Sequence, residues 1–466
     1  MRTLFLLLPL VTMAACGEVP GPIGPGGSTG LNPDPPLNGQ AIGDPAVEPD
    51  QANVWVINAH NEESEGAFVA KLTAINSGTG ATTVVLDVSA DSDSEMIFPA
   101  AGRALYSAYS GQTGQYTVLL STSSLQPVAT AQQSGSLSGL TPSPSGRFSL
   151  AYDFSVFGAS NLPAVRLLDN QHLVTADVPL QSSSLELMAG WEHNSDQLVT
   201  ISTSVSTSGN GSGGGVSQIS RYAVTEGSSG PSFGAPNLQA SLTGYAQGLA
   251  ATSNFVGISP DDHWAVFPMY NTTTGANTLV VLDQTTNSLT EIPGEGPVGF
   301  TPNSGTMVAY KYDSSDENTY LLMIDTATWA VTTQPIPTTS DPSFYVAPDG
   351  TQVVVSTLLE GSELAIYDSS SQAVTTLPGS AISLEEFVVR PGQNQLWIVS
   401  SGLLYQLDLA PSVALKQMSL PSFEVSGLNI LPASDTLVLV PPTGGDVYFY
   451  SMASTSVVRT VHLPAP

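Results

Sequence analysis

Pro348-Asp349-Gly350-Thr351-Gln352-Val353-Val354-Val355 is the stretch that decides the fold. Proline presets φ for a turn, Asp takes the next corner, and Gly accepts a left-handed backbone. The Val run that follows has the β-branched composition of a strand. Pro49-Asp50-Gln51-Ala52-Asn53-Val54-Trp55-Val56 repeats the phrase position by position. Further copies begin at Pro99, Pro144, Pro260, Pro302, Pro391 and Pro432, and a degenerate copy without the proline lies near Trp191. Successive copies stand 41 to 50 residues apart, with one step of 69. The long step holds Ser202–Gly215, which reads as a Ser/Gly insertion.

A second punctuation keeps the same period. Apolar runs end in a small or acidic residue at Asn76, Ser121, Asp169, Glu226, Asp283, Asp325, Asp368, Asp408 and Ser451. A carboxylate there can accept a backbone N–H two residues on and release the chain into a turn. Each period thus holds four strand-sized pieces, as in 297–300, 306–310, 320–324 and 330–336. No segment sustains a helical period. A repeat of 40–50 residues with four short strands is the pattern of a β-propeller, whose blades cover one another's faces. The expected fold is all-β: a single propeller of four-stranded antiparallel blades over 48–466. Nine middle hairpins are visible but only eight clear innermost strands, the first unit lacking one before Pro49. Eight blades are therefore expected, with seven and nine as the alternatives and the surplus hairpin on a blade edge.

Ser259-Pro260-Asp261-Asp262, Ala347-Pro348-Asp349-Gly350 and the closing Asp325-Thr326 resemble the repeats of TolB-like and YVTN-type bacterial propellers. The Gly-His and Trp-Asp pairs of true WD repeats are missing. The resemblance implies the fold over residues 50–466. Its members include peptidoglycan-associated envelope proteins, surface repeat proteins and a few lactonases, so it leaves the activity open.

The start of the chain reads as an address. Arg2 is a minimal positive region, Thr3 to Met13 an apolar one, and Ala14-Ala15 precede Cys16, the one cysteine among 466 residues. The apolar run is too short to span a bilayer. Met13-Ala14-Ala15-Cys16 resembles the bacterial lipobox, with Met where Leu is more usual. The resemblance implies cleavage after Ala15, acylation of Cys16 and anchoring through acyl chains. Gly17, where an inner-membrane retention signal would carry Asp, points to the outer membrane. The competing reading is an ordinary secretory signal with Cys16 incidental, and the lack of any other cysteine weighs against it. Residues 1–15 are thus read as signal peptide and 16–47, rich in Pro and Gly, as a tether. Two Gly-Pro triplets at Gly21–Pro25 cannot make a collagen helix.

Charge excludes some functions. The net charge is −29, and the ten cations are scattered. No basic patch forms, so nucleic acid is not an expected partner. A single cysteine excludes a disulfide framework and cysteine-cluster metal sites. The five histidines, His60, His172, His193, His263 and His462, fall in separate units without ligand spacing. Gly209–Gly214 fits G-x-G-x-x-G but lies between two strands rather than between a strand and a helix. Asp91–Glu95 and Asp313–Glu317 are acidic loops that lack the Gly and distant Glu of a calcium loop. No nucleophile elbow is present. No catalytic residue, cofactor or metal ligand is assigned. The expected function is a monomeric, envelope-anchored binding scaffold for a protein, peptide or glycan. The alternative is an exported hydrolase or lactonase, which would need Asp, Glu or His converging on the axis.

Overall fold

The structure, a computed structural model, describes residues 40–464 except 63–66, 89–93, 111–113, 134–136, 154–163, 180–183, 205–215, 229, 248–255, 337–341, 348, 358–363, 378–381, 383, 385, 410–411, 421–422 and 443–444. Cys16, the signal and most of the tether lie outside them, as do Gly209–Gly214 and Asp91 to Asp93.

Among the described residues the chain forms nine antiparallel sheets, seven of four strands and two of five, and every blade is a continuous piece of chain. The blades span residues 40–88, 94–132, 137–177, 184–243, 245–293, 295–336, 342–377, 386–417 and 427–462. The first strand of each blade is innermost. First strands of neighbouring blades lie together, Gln40–Val47 against Gly427–Leu431 and Ser94–Ala100 against Leu137–Pro142. Middle strands are covered on both faces: every residue of Gln395–Ser400 and of Thr436–Val440 is buried. Outer strands such as Gln126–Gln132 are largely exposed.

Burial on both faces requires a neighbour on each side. Among the described residues, nine apolar cores fill the seams between successive blades. Trp55, Leu72, Tyr106 and Leu120 join blades 1 and 2. Val388, Trp397, Leu437 and Tyr450 join blades 8 and 9. The ninth core, with Val54, Ile75, Val438, Phe449 and Val461, joins blade 9 to blade 1. An open stack of nine blades would have eight such seams, so the ring is closed. Among the described residues no strand is exchanged across the closing seam. Side chains hold it instead: Asn429 Nδ2 donates to Pro45 O at 2.7 Å, and Arg459 donates to the carbonyls of Ser77 and Gly78, each at 2.7 Å.

The blade count is nine, not eight. The surplus hairpin is a full blade whose inner strand, Gln40–Val47, lies in the stretch read as tether. Gly43 and Pro45 mask it in the sequence, and its pairing with Asn53–Glu62 is irregular between Ile42 and Ala46. The reading of Ser202–Gly215 as one insertion also needs correction. Ser202 to Ser204 complete the strand Gln197–Ser204, pairing with Gln218 to Val216. The buried Thr203 and Ser217 hydroxyls pair at 2.9 Å, which lets a polar run occupy a middle strand. Residues 205–215 are outside the described chain. The long step also contains a 12-residue third strand, Val216–Gly227, with two outer pieces, Gly230–Phe233 and Asn237–Thr243.

The punctuation does what its chemistry predicts. Third strands end at Asn76, Ser121, Asp169, Asp283, Asp325, Asp368, Asp408 and Ser451. Asp283 Oδ1 accepts the N–H of Thr285 at 2.7 Å and of Thr286 at 3.0 Å; Asp368 does the same for Ser370 and Ser371. The Pro-centred turns follow one plan. In blade 5, Asp262 N–H bonds Ser259 O at 2.8 Å and Ser259 N–H bonds Trp264 O at 2.9 Å, with Asp262 left-handed at φ 59°. Such a turn with a left-handed last residue matches the twist of a hairpin.

Candidate functional site

Both kinds of turn lie on one face of the ring, and their acidic residues bridge blades. Asp196 accepts the N–H of Ser145 at 3.1 Å, joining blades 3 and 4. Asp262 accepts the N–H groups of His193 and Asn194 at 2.6 and 3.0 Å, joining 4 and 5. Asn394 donates to Asp349 at 2.6 Å, joining 7 and 8. Asp435 takes the guanidinium of Arg390, joining 8 and 9. Gln51 accepts from Ala433 N–H at 2.8 Å, joining 9 and 1. These groups are acceptors already filled. The Ser370 hydroxyl and the Ser371 N–H hold Asp368 below the usual carboxylate range, and Thr328 does so for Asp325. A depressed pKa unfits a carboxyl for general-acid work at neutral pH.

The structure disperses the histidines. His60 sits in a strand opposite Val69. His193 Nε2 donates to Ile258 O at 3.0 Å. His263 stacks on Trp264, rings 4.2 Å apart, beside Asp283. His462 pairs with Asp446. The Asp313 loop is internally satisfied: the Ser315 hydroxyl and N–H, then Lys311, hold Asp313 at about 2, and Tyr320 donates to Asp316. The inner strands carry Glu95, Glu186, Glu295 and Glu386 in alternate blades. Glu95 accepts the N–H of Leu140 on the next inner strand at 2.9 Å, capping an edge group. Glu48 has its pKa raised by burial, against bonds from Asn53 and Trp55. At 2 % exposure beneath the Trp55 indole it offers no access to a substrate.

One charged cluster stands apart, on blade 3 and reaching Glu226 of blade 4. Asp169, its carboxylate fully covered, accepts from Arg147 at 2.9 Å and from the His172 ring at 3.1 Å. Burial alone would raise its pKa; the N–H groups of His172 and Gln171, the His172 ring and the Arg147 cation outweigh that and lower it. Arg147 also pairs with Glu226 at 3.0 Å. Beside this cluster lies a cavity of ≈ 310 Å³. Pro99, Leu119 and Val128 of blade 2 give it an apolar wall, and Arg103, Asn170 and His172 give it a polar one. Gly146 at φ +67° lets the blade 3 turn approach Pro99. Arg103 is exposed and has no side-chain partner among the described residues. The residue reading missed this groove, because the fold alone joins its two walls. One signal was present: Gly102-Arg103 and Gly146-Arg147 follow the proline in two successive repeats.

No family model matches the sequence, and no curated protein matches it. Solved structures are similar to it at low identity. The chain is similar to dihydro-heme d1 dehydrogenase NirN in complex with DHE, 13% identical over 79% of this chain and 74% of that one, TM-score 0.48. It is similar to the Dos1 propeller, 13% identical over 90% of this chain and 95% of that one, TM-score 0.46. TolB from Acinetobacter baumannii is 12% identical over 70% of this chain and 79% of that one, TM-score 0.33.

Proposed function

We propose that the chain is an exported lipoprotein, held at the outer membrane through Cys16, whose propeller is a non-catalytic binding scaffold. The observation that carries this reading is how the turn-face carboxylates are used. They bridge blades or cap turns, and several are held in the charged form. What faces solvent for recognition is the blade 2–3 groove, with an unspent cation on one wall and apolar groups on the other. The occupant is a protein, peptide or glycan met at the envelope. Acyl chains on Cys16 would each partition at about 0.8 kcal/mol per buried CH₂, and two or more give stable anchoring. The Pro/Gly segment after Cys16 would give the ring reach.

Metabolic labelling with a radioactive fatty acid, together with detergent-phase partitioning, tests the anchor. Wild type incorporates label and enters the detergent phase, and Cys16→Ser does neither. Label retained in the variant contradicts the anchor. Photo-crosslinking from the ring surface in intact cells tests the scaffold: a discrete, saturable partner supports it. Steady turnover of a lactone or glycoside by the purified chain contradicts it and favours the hydrolase.

A further inference from the structure

We infer that the groove at the seam of blades 2 and 3 binds the C-terminal residue of a peptide that ends in an apolar side chain. This rests on the scaffold reading and names its ligand. Three demands of the groove define the occupant. The first is charge. Arg103 is one of ten cations in a chain of net charge −29, and it spends its charge on no partner among the described residues. Arg147 pairs with Asp169 and Glu226 at 2.9 and 3.0 Å, so neither carboxylate is an ion-pair partner of Arg103. His172, its side chain 56% exposed, is held through Nδ1 by Asp169 and Arg147. A planar guanidinium with no partner among the described residues suits a carboxylate, which can bond Arg in bidentate fashion.

The second demand is a hydrogen-bond donor. Asn170 is 2% exposed and lines the groove. Its Nδ2 donates to Gly146 O at 3.1 Å, which fixes the amide orientation, since the flipped form would set two oxygens together. Its Oδ1 is buried and has no partner. A buried acceptor left empty costs free energy, and a ligand N–H recovers it. The third demand is apolar contact, supplied by Pro99, Leu119 and Val128. A carboxylate, an amide N–H and an apolar side chain on one carbon describe the last residue of a peptide. The volume, ≈ 310 Å³, sits at the small end of ligand sites and suits one residue rather than a long segment. An inorganic anion would meet the first demand only. A neutral glycan would leave Arg103 unused.

Fluorescence anisotropy on the full chain in detergent micelles provides the test. The probes are fluorescein-labelled Gly-Gly-Leu with a free C-terminus and the same peptide ending in an amide. The free acid should saturate, and the amide should bind at least about tenfold more weakly, the loss expected for a charge-assisted bond. Arg103→Gln should weaken the free acid by a similar factor and leave the amide unchanged. Because Arg103 is exposed, that variant should melt like wild type. Val128→Glu, at a position 51% exposed, places a repelling charge in the groove and should also discriminate against the free acid. Equal binding of acid and amide, or indifference to both substitutions, overturns the proposal. So does failure of the free acid to saturate. If that failure comes while photo-crosslinking still traps a saturable partner, the groove assignment falls and the scaffold stands. If both fail, both fall.

Discussion

At Gly146 the backbone runs at φ +67°, and a Cβ placed there would stand 1.5 Å from the carbonyl oxygen of Pro99 on the neighbouring blade. Gly102 has φ +76° at the corresponding turn of blade 2, yet a Cβ there meets nothing within 4 Å. The two glycines therefore separate conformational cost from collision. Gly102→Ala should cost about 1 kcal/mol, the price of a left-handed alanine. Gly146→Ala should cost more than about 3 kcal/mol, because the clash is with backbone that cannot yield without opening the seam. Denaturant melts of the two variants against wild type measure this, and equal losses would mean the turns do not meet. Residues of this kind differ in how far sequence exposes them. The capping role of Asp283 or Asp368 was legible because its partners are two and three residues away. Asn170 and Arg103 were not, because they stand on blades 3 and 2 and only the packing of two repeats sets them around one cavity.

The strand Ser456–His462 shows the same contrast at the level of elements. Its alternation in the sequence is weak, and it pairs with Asp446–Ser451 as the fourth strand of blade 9. Its second role, against blade 1, follows from ring closure. Arg459 holds Ser77 and Gly78 of the first blade and lies 5.4 Å from the Phe449 ring centre, while Val461 joins the closing core. Arg459→Ala should destabilise by about 1–2 kcal/mol, from two charge-assisted bonds in a half-buried site. Removing 456–466 should do more, since it uncovers Val447 and Phe449 and opens a sheet edge. Aggregation of the truncated chain is the expected result. A monomer that melts like wild type would indicate an open stack, in which trimming one end disturbs one local interface. Middle and outer strands announced themselves by β-branched runs and Asp stops. Inner strands did so less well: Gln40–Val47 contains Gly43 and Pro45 and reads as linker.

For the whole molecule, nine seams and nine cores make each blade depend on two neighbours, and the first and last blades on each other. Ordinary propellers have four to eight blades. A ninth fits here because no blade exchanges a strand, so closure asks only that the end faces match in side chains. The acidity of the chain has a structural share, since Asp196, Asp262, Asp349 and Asp435 bind blade to blade. The fold class was legible because the repeat is local and periodic. The blade count and the groove were not, because each depends on which repeats become neighbours. Closure by a ninth blade is the central claim, and thiol crosslinking tests it most directly. Asn429 donates to the carbonyl of Pro45 across 384 residues of sequence. In a chain with Cys16→Ser, Pro45→Cys and Asn429→Cys, a short bismaleimide should link the two new thiols within one molecule and give a faster-migrating band. A thiol at position 45 that reacts singly and never crosslinks within the chain would place 40–47 outside the ring and contradict the nine-bladed closure.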